Sequence, residues 1–333
     1  MKALVLLLVL AACSDSKKPD PKREPERPRR VIEAPTRGVR ALPPHAIRAD
    51  GVGPYKLGAT VTQLLDQLPS GPRISQFSLP GVIQRDILRA EEDAILIGTE
   101  PQGKATFVSV VRSEIARTEA GVHVGSTREQ LEESLGAPLD DPMRAQDPRV
   151  VIPSKLENAR VVFNGDRIEA FVIVSEPERA KESNVPPRDP EENAKVIAAM
   201  RMPGLVFAAP LRNPNDGRDD IVAVVRTDDA QTRTWSVVGY RWHEGKPVRV
   251  LEPSVVYSLT ATNARWIGAN LSDLDLMLEL SSRADSIEVG GLLTTRVGDK
   301  IRDIVVITPV PVARKRAKPV LHDSIDAGTS DAH

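Results

Sequence analysis

Two stretches of this chain repeat each other 67 residues apart, and that repetition constrains the fold more than any other feature of the sequence. The first reads Gly58-Ala59-Thr60-Val61-Thr62-Gln63-Leu64-Leu65-Asp66-Gln67-Leu68-Pro69. The second reads Gly125-Ser126-Thr127-Arg128-Glu129-Gln130-Leu131-Glu132-Glu133-Ser134-Leu135-Gly136. Thr60 and Thr127 stand where a helix N-cap belongs, and Gln63 and Gln130, three residues on, complete a capping box. Leu64/Leu68 and Leu131/Leu135 fall at i and i+4, on one face of a short helix. Gly136 supplies a left-handed stop and Pro138 prevents the second helix from resuming, whereas the first copy carries Pro69 at the stop.

Extended runs follow each copy, at 94–97 and 106–111 after the first and at 159–163 and 168–174 after the second. Asn164-Gly165 between the last two is a strong hairpin signal. Each copy therefore reads as a helix packed on an antiparallel sheet, and residues 49–177 are expected to form two tandem α+β units. The second unit resembles the small outer-membrane lipoproteins of the SmpA/OmlA family, accessory subunits of the β-barrel assembly machinery. The residues that carry the likeness are Gly125, Thr127, Gln130, Leu131, Leu135, Gly136 and Pro138, followed by the 161–174 hairpin. The tandem arrangement over residues 50–176 is also similar to that of β-lactamase inhibitor proteins. The resemblance implies a fold; its motif is a capped helix and its stop, which by itself implies no chemistry.

A charged, proline-flanked stretch at 178–189 reads as a linker. Asp189 and Pro190 then stand at the cap and first position of a helix extending to about Arg201. Beyond it strands dominate, at 205–209, 221–226, 235–242, 248–251, 255–260, 275–280, 292–297 and 301–307, parted by turns such as Glu244-Gly245 and Gly298-Asp299. Residues 190–313 are thus expected to be a β-rich, sandwich-like domain, with a small propeller-like sheet as the alternative. The fold class read from the whole sequence is α+β, two tandem helix-plus-antiparallel-sheet units followed by a mostly β C-terminal domain. The segment from Asn213 to Asp220 is similar to the calcium loops of FG-GAP-type propeller repeats. A full-length loop would put Arg212 and Pro214 where carboxylates belong, so the reading is a plain Asx/Gly turn and no metal site is assigned.

The first residues point to a location. One positive charge, Lys2, precedes the apolar run from Leu4 to Leu10, which is far shorter than the roughly 20 residues that cross a bilayer. Leu10-Ala11-Ala12-Cys13 resembles the lipobox of bacterial lipoproteins, so residues 1–13 are expected to be an export signal and Cys13 the lipidated anchor. Cys13 is the one cysteine in 333 residues, which excludes an intramolecular disulfide and a cysteine metal cluster. Ser14 after the anchor favours the outer membrane. Residues 14–48 are expected to form a Pro/Arg-rich tether, whose proline-bearing part from Ser14 to Pro44 could hold the folded part up to roughly 90 Å from the lipid at about 3.1 Å per residue. Residues 314–333 read as a disordered tail.

A net charge of -1 from 45 basic and 46 acidic residues, with 3% aromatics, provides neither the field nor the stacking platform for nucleic acid. The five histidines, His45, His123, His243, His322 and His333, fall at no metal-ligand spacing. The sequence contains no GxSxG, HExxH or P-loop motif, and Ser14-Asp15-Ser16-Lys17 matches S-x-x-K only inside the tether. Glu91-Glu92-Asp93 and Asp140-Asp141 are candidate carboxylate clusters that solvated turns explain more simply. Trp235 on one strand face, and Tyr240 and Trp242 on the other, form the candidate partner surface. The leading expectation is a non-catalytic, lipid-anchored envelope lipoprotein without cofactor, bound to the membrane through Cys13 and to a protein or cell-wall partner, in envelope assembly or maintenance. An envelope hydrolase with an acidic site assembled by the fold is the rival, and a structural spacer the third reading.

Overall fold

Alternating and continuous aliphatic runs make strands of most of this chain. The computed structural model describes residues 44–68, 73–100, 103–112, 115–175, 190–244 and 246–315. Cys13, Ser14, the tether up to residue 43, the 178–189 linker with Asp189, and residues 316–333 lie outside them. The N-terminal half runs β1 (His45–Arg48), β2 (Gly51–Val52), β3 (Tyr55–Lys56), α1 (Val61–Leu65), β4 (Arg73–Leu79), β5 (Ile83–Ala90), β6 (Ile95–Thr99), β7 (Ala105–Val110), β8 (Ala116–Arg117), α2 (Arg128–Leu135), β9 (Arg144–Gln146), β10 (Val150–Val151), β11 (Ala159–Asn164) and β12 (Arg167–Val174). The C-terminal half continues with α3 (Pro190–Ala199), β13 (Leu205–Arg212), β14 (Asp219–Asp228), β15 (Thr232–His243), β16 (Lys246–Thr260), α4 (Ala261–Trp266), β17 (Leu274–Ser282), β18 (Ser286–Val297), β19 (Lys300–Val306) and β20 (Val310–Ala313).

The α+β expectation is overturned: the fold is mostly β. The sheets are ordered β3-β2-β1-β8, β10-β11-β12-β7-β6-β5-β4, β13-β14-β15-β16 and β19-β18-β17-β9, with β20 on β18. The four α-helices among the described residues have 5, 8, 10 and 6 residues. Both capping boxes form, Thr60 with Gln63 and Thr127 with Gln130, but α1 and α2 bury one leucine each, Leu64 and Leu131. Helices that short cannot cover a sheet. The apolar edges of the two hairpins satisfy their backbone groups by pairing with each other instead, β12 against β7. One seven-stranded sheet replaces two helix-plus-sheet units.

The sequence repeat survives as a set of backbone hydrogen bonds. Gly58 N–H donates to Ala105 O, Ala105 N–H to Ala59 O, and Val61 N–H to Gly103 O. In the second copy Gly125 N–H donates to Ile168 O, Ile168 N–H to Ser126 O, and Arg128 N–H to Asp166 O. Each helix therefore hangs by its N-terminus from the turn of its own hairpin. At the seam Phe171 faces Val110 and Ile173 faces Val108, equivalent positions exchanged, so the two hairpins meet about a local twofold axis.

Both faces of the central strands of this sheet are buried, while Ile74, Gln76 and Ser78 on the edge strand β4 are exposed. Ile95 and Ile97 face a core with Tyr55, Val108, Phe171 and Ile173 beneath α1, α2 and the small N-terminal sheet. Leu96, Phe107 and Val172 face the other way, into a core shared with Leu276, Leu292 and Ile304. That is why 94–97 is continuously apolar rather than alternating. β9, from the N-terminal half, hydrogen-bonds β17 at the edge of the C-terminal sheet. Segments read from sequence as separate modules thus share a sheet and a core. Arg314, expected to begin the tail, is buried and ion-paired to Asp220. The strands expected at 248–251 and 255–260 are one, β16, which passes Pro253 with register shifts against β15. No helix among the described residues is long and apolar enough to cross a membrane.

Ion pairs cross between the layers. Arg89 on β5 pairs with Asp303 on β19, and Arg296 on β18 lies 2.7 Å from Glu169 on β12. Burial pushes the Asp303 carboxyl up, but the Thr295 hydroxyl at 2.6 Å, Arg89 and Arg302 together outweigh it and hold its pKa below the usual carboxylate value.

Two outcomes follow from these contacts. A Cβ on Gly98 would lie 1.9 Å from the buried Phe107 ring, so Gly98→Ala is expected to cost about 1–3 kcal/mol in urea unfolding. Asp303 binds its proton less readily folded than unfolded. Its stabilisation is therefore complete above the unfolded pKa of about 3.9 and is lost as pH falls through the lower folded value. Urea midpoints measured downward from pH 5 should fall, and Asp303→Asn should lower the neutral plateau and flatten that acid limb.

Candidate functional site

The face of β5 that carries Ile83 and Ile87 into the C-terminal core also carries Arg85 between them. At this end of the sheet a cleft of about 790 Å³ is lined by residues of both layers, among them Ser281 of β17 and Gly290 of β18. Its apolar walls include Leu139, Met143, Val174, Leu292, Val306 and Pro309. Its charges come from β5 (Arg85), the residue after β6 (Glu100), the 140–144 segment, β11 (Arg160), β17 (Glu279), the β17–β18 turn (Arg283) and β18 (Glu288).

Most of these charges are tied to each other. Arg160 Nε donates to Glu279 Oε1 at 2.7 Å and Oε2 at 2.9 Å, a bond from the seven-stranded sheet to the C-terminal sheet. Arg283 donates to Glu288 at 2.9 Å. Arg144 lies 3.5 Å from Asp141, whose Oδ1 also accepts from Met143 N–H at 2.9 Å. Arg85 is different. It is half-buried, its Nε is sealed from solvent with no acceptor, and among the described residues it has no hydrogen bond or ion pair. Burial pulls its pKa below the usual arginine value and the Glu100 carboxylate pulls it back; the guanidinium stays charged at neutral pH.

The residues singled out from sequence are scattered. Asp140 and Asp141 line the cleft. Glu91-Glu92-Asp93 lies elsewhere, in a turn with φ of 49°, 53° and 67°, where Glu91 Oε1 accepts from the Tyr55 hydroxyl and sits 3.1 Å from His45 Nε2. Trp235 is 1% exposed, inside the core, and so is unavailable at a surface. Tyr240 and Trp242 are half-buried on the opposite strand face, with the Arg249 guanidinium 5.7 Å from the Tyr240 ring centre. The Asn213–Asp220 segment is a turn: Asn213 Oδ1 accepts from Asn215 N–H, Gly217 has φ 66°, and Asp219 and Asp220 are turned to arginines. No group of three or more His, Cys, Asp or Glu among the described residues is arranged to hold a metal. Burial raises the pKa of the Asp220 carboxyl against the pull of Arg241 and Arg314, and Asp220 is not part of the cleft.

Sequence reasoning missed Arg85, Glu100, Arg160 and Glu279. A signal existed for one of them: Arg160 is the lone charge in the mostly apolar strand β11. Compared with known proteins, the chain matches no family model, no curated protein and no solved structure.

The Arg160–Glu279 bond can be tested directly. Arg160 has a side chain 7% exposed, so Glu279→Leu removes its acid partner from a buried guanidinium. The expected loss is about 3 kcal/mol in equilibrium unfolding.

Proposed function

We infer that this chain is a lipid-anchored envelope protein that binds a protein or cell-wall partner without catalysis, and that the cleft is where it binds. One observation carries the choice of site: within a cleft whose other arginines are neutralised by acids, Arg85 is charged, half-buried and unpartnered. A donor in that state gains a full charge-assisted hydrogen bond from any ligand acceptor, which is a reason to bind. A volume of about 790 Å³ suits a small molecule or a peptide segment. The anchor reading rests on Leu10-Ala11-Ala12-Cys13. Confinement at the membrane would raise the effective concentration of an envelope partner without any added contact.

Cys13→Ser is expected to abolish acylation and release the protein from the membrane fraction; persistence of a processed, detergent-requiring form would remove the anchor. For the site, a photo-crosslinking residue at Ser281 in the cleft should give a discrete adduct in intact cells, and one at the exposed Thr262 should not. Turnover of an envelope substrate by the full chain, abolished at Asp141 or Glu279, would replace binding with hydrolysis.

A further inference from the structure

Arg85 and Glu100 are neighbours by register. Asp86 pairs with Thr99 in the β5–β6 ladder, which places Arg85 opposite Glu100 at the next position. Glu100 is one residue past the end of β6; opposite charges that continue a ladder in this way normally close on each other, because paired Cβ atoms are only about 5 Å apart. Here they stay open: Glu100 acts on Arg85 through its charge alone, with no hydrogen bond between them, and Glu100, also half-buried, has no side-chain hydrogen bond or ion pair among the described residues. Glu100 is fixed through its backbone, donating to Lys104 O at 2.9 Å and accepting from Gly103 N–H at 2.8 Å. Thr106, beside them in the cleft, points its hydroxyl at Gly98 O, 3.3 Å away, and does not bridge the gap. One cation and one anion thus face the same cleft, adjacent and unjoined, while every other arginine around them is matched.

We propose that Arg85 and Glu100 bind the two charges of an α-amino-carboxylate group, the ligand carboxylate on the guanidinium and its ammonium on the Glu100 carboxylate. This rests on the cleft being the binding site. An α-amino acid carries its opposite charges on one carbon, so it inserts between two opposite side-chain charges and satisfies both at once. A simple anion would satisfy Arg85 and be repelled by Glu100; a simple cation would meet the reverse. The aliphatic walls, among them Leu292 and Pro309, then take an apolar substituent. Two sources carry this group, a free amino acid and a cell-wall peptide whose diamino acid has one unlinked α-carbon.

The test uses the full chain in detergent and saturation-transfer NMR with three probes: L-alanine, N-acetyl-L-alanine and L-alaninamide. Alanine should bind, and each blocked probe should bind roughly tenfold to hundredfold more weakly, since each lacks one charge-assisted contact. Arg85→Gln and Glu100→Gln should each weaken alanine by a similar factor. The exchange Arg85→Glu with Glu100→Arg should restore it, because a zwitterion fits a reversed pair end for end. Thermal midpoints separate lost folding from lost binding, and Glu100→Gln, which removes no buried cation, serves if the Arg85 variant does not fold. Co-sedimentation with purified cell-wall sacculi that is lost in Arg85→Gln identifies the wall peptide as the source; alanine binding without co-sedimentation identifies the free amino acid. Equal binding of N-acetylalanine and alanine, or no binding of any probe, overturns the proposal. If the Ser281 adduct still forms in that case, the cleft remains a binding site for other chemistry.

Discussion

Burial of the seven-stranded sheet on both faces governs the rest of the molecule. A sheet with one wet face can alternate polar and apolar residues and offer its outer side to a partner. With Ile95, Leu96 and Ile97 all fully enclosed, neither side is free. Covering the second face requires the C-terminal strands, so the two halves of the chain depend on one another, and β9 binds them further by its place in the other sheet. What stays open is the boundary where the layers part. The cleft is that boundary.

Charges inside such a stack must be matched or become costly. Arg89 with Asp303, Arg160 with Glu279 and Arg296 with Glu169 meet this requirement, each across the layer boundary. Their energetic contribution over apolar side chains is small; their value lies in register, since a shifted layer would strand both members of every pair. Arg85 belongs to the same boundary and lacks a partner, which is why it stands out. Asp220, by contrast, is pressed upward by burial yet fixed by Arg241 and Arg314, a structural knot that holds the end of β20 to β14.

Local signals were legible in the sequence and long-range pairing was not. The capping boxes at Thr60 and Thr127, the Asn164-Gly165 hairpin and the positions of most C-terminal strands, though not β20, follow from side-chain chemistry within a few residues. β4 and β5 were not recognised, because Gln76, Ser78, Arg85 and Asp86 interrupt their apolar pattern with polar residues that reach solvent at the sheet edge or the cleft. The choice between two helix-covered sheets and one shared sheet was invisible for a different reason. It depends on β12 finding β7 from more than fifty residues away in the chain, and only the completed backbone hydrogen bonds decide it. The site suffered the same limit: Arg85 and Glu100 are unremarkable charges until the β5–β6 register sets them face to face.

The local twofold between the hairpins has a meaning beyond packing. Strands that meet their own equivalents antiparallel, Val108 with Ile173 and Val110 with Phe171, form the contact that two identical chains form in a homodimer. The seam therefore has, inside one polypeptide, the geometry of a self-complementary contact between two copies. The two copies differ in detail: the first carries Pro69 where the second has its Gly136 stop, and they give the cleft different charges, Arg85 and Glu100 from the first and Arg160 from the second. The scaffold is symmetric; the residues that line the site are not.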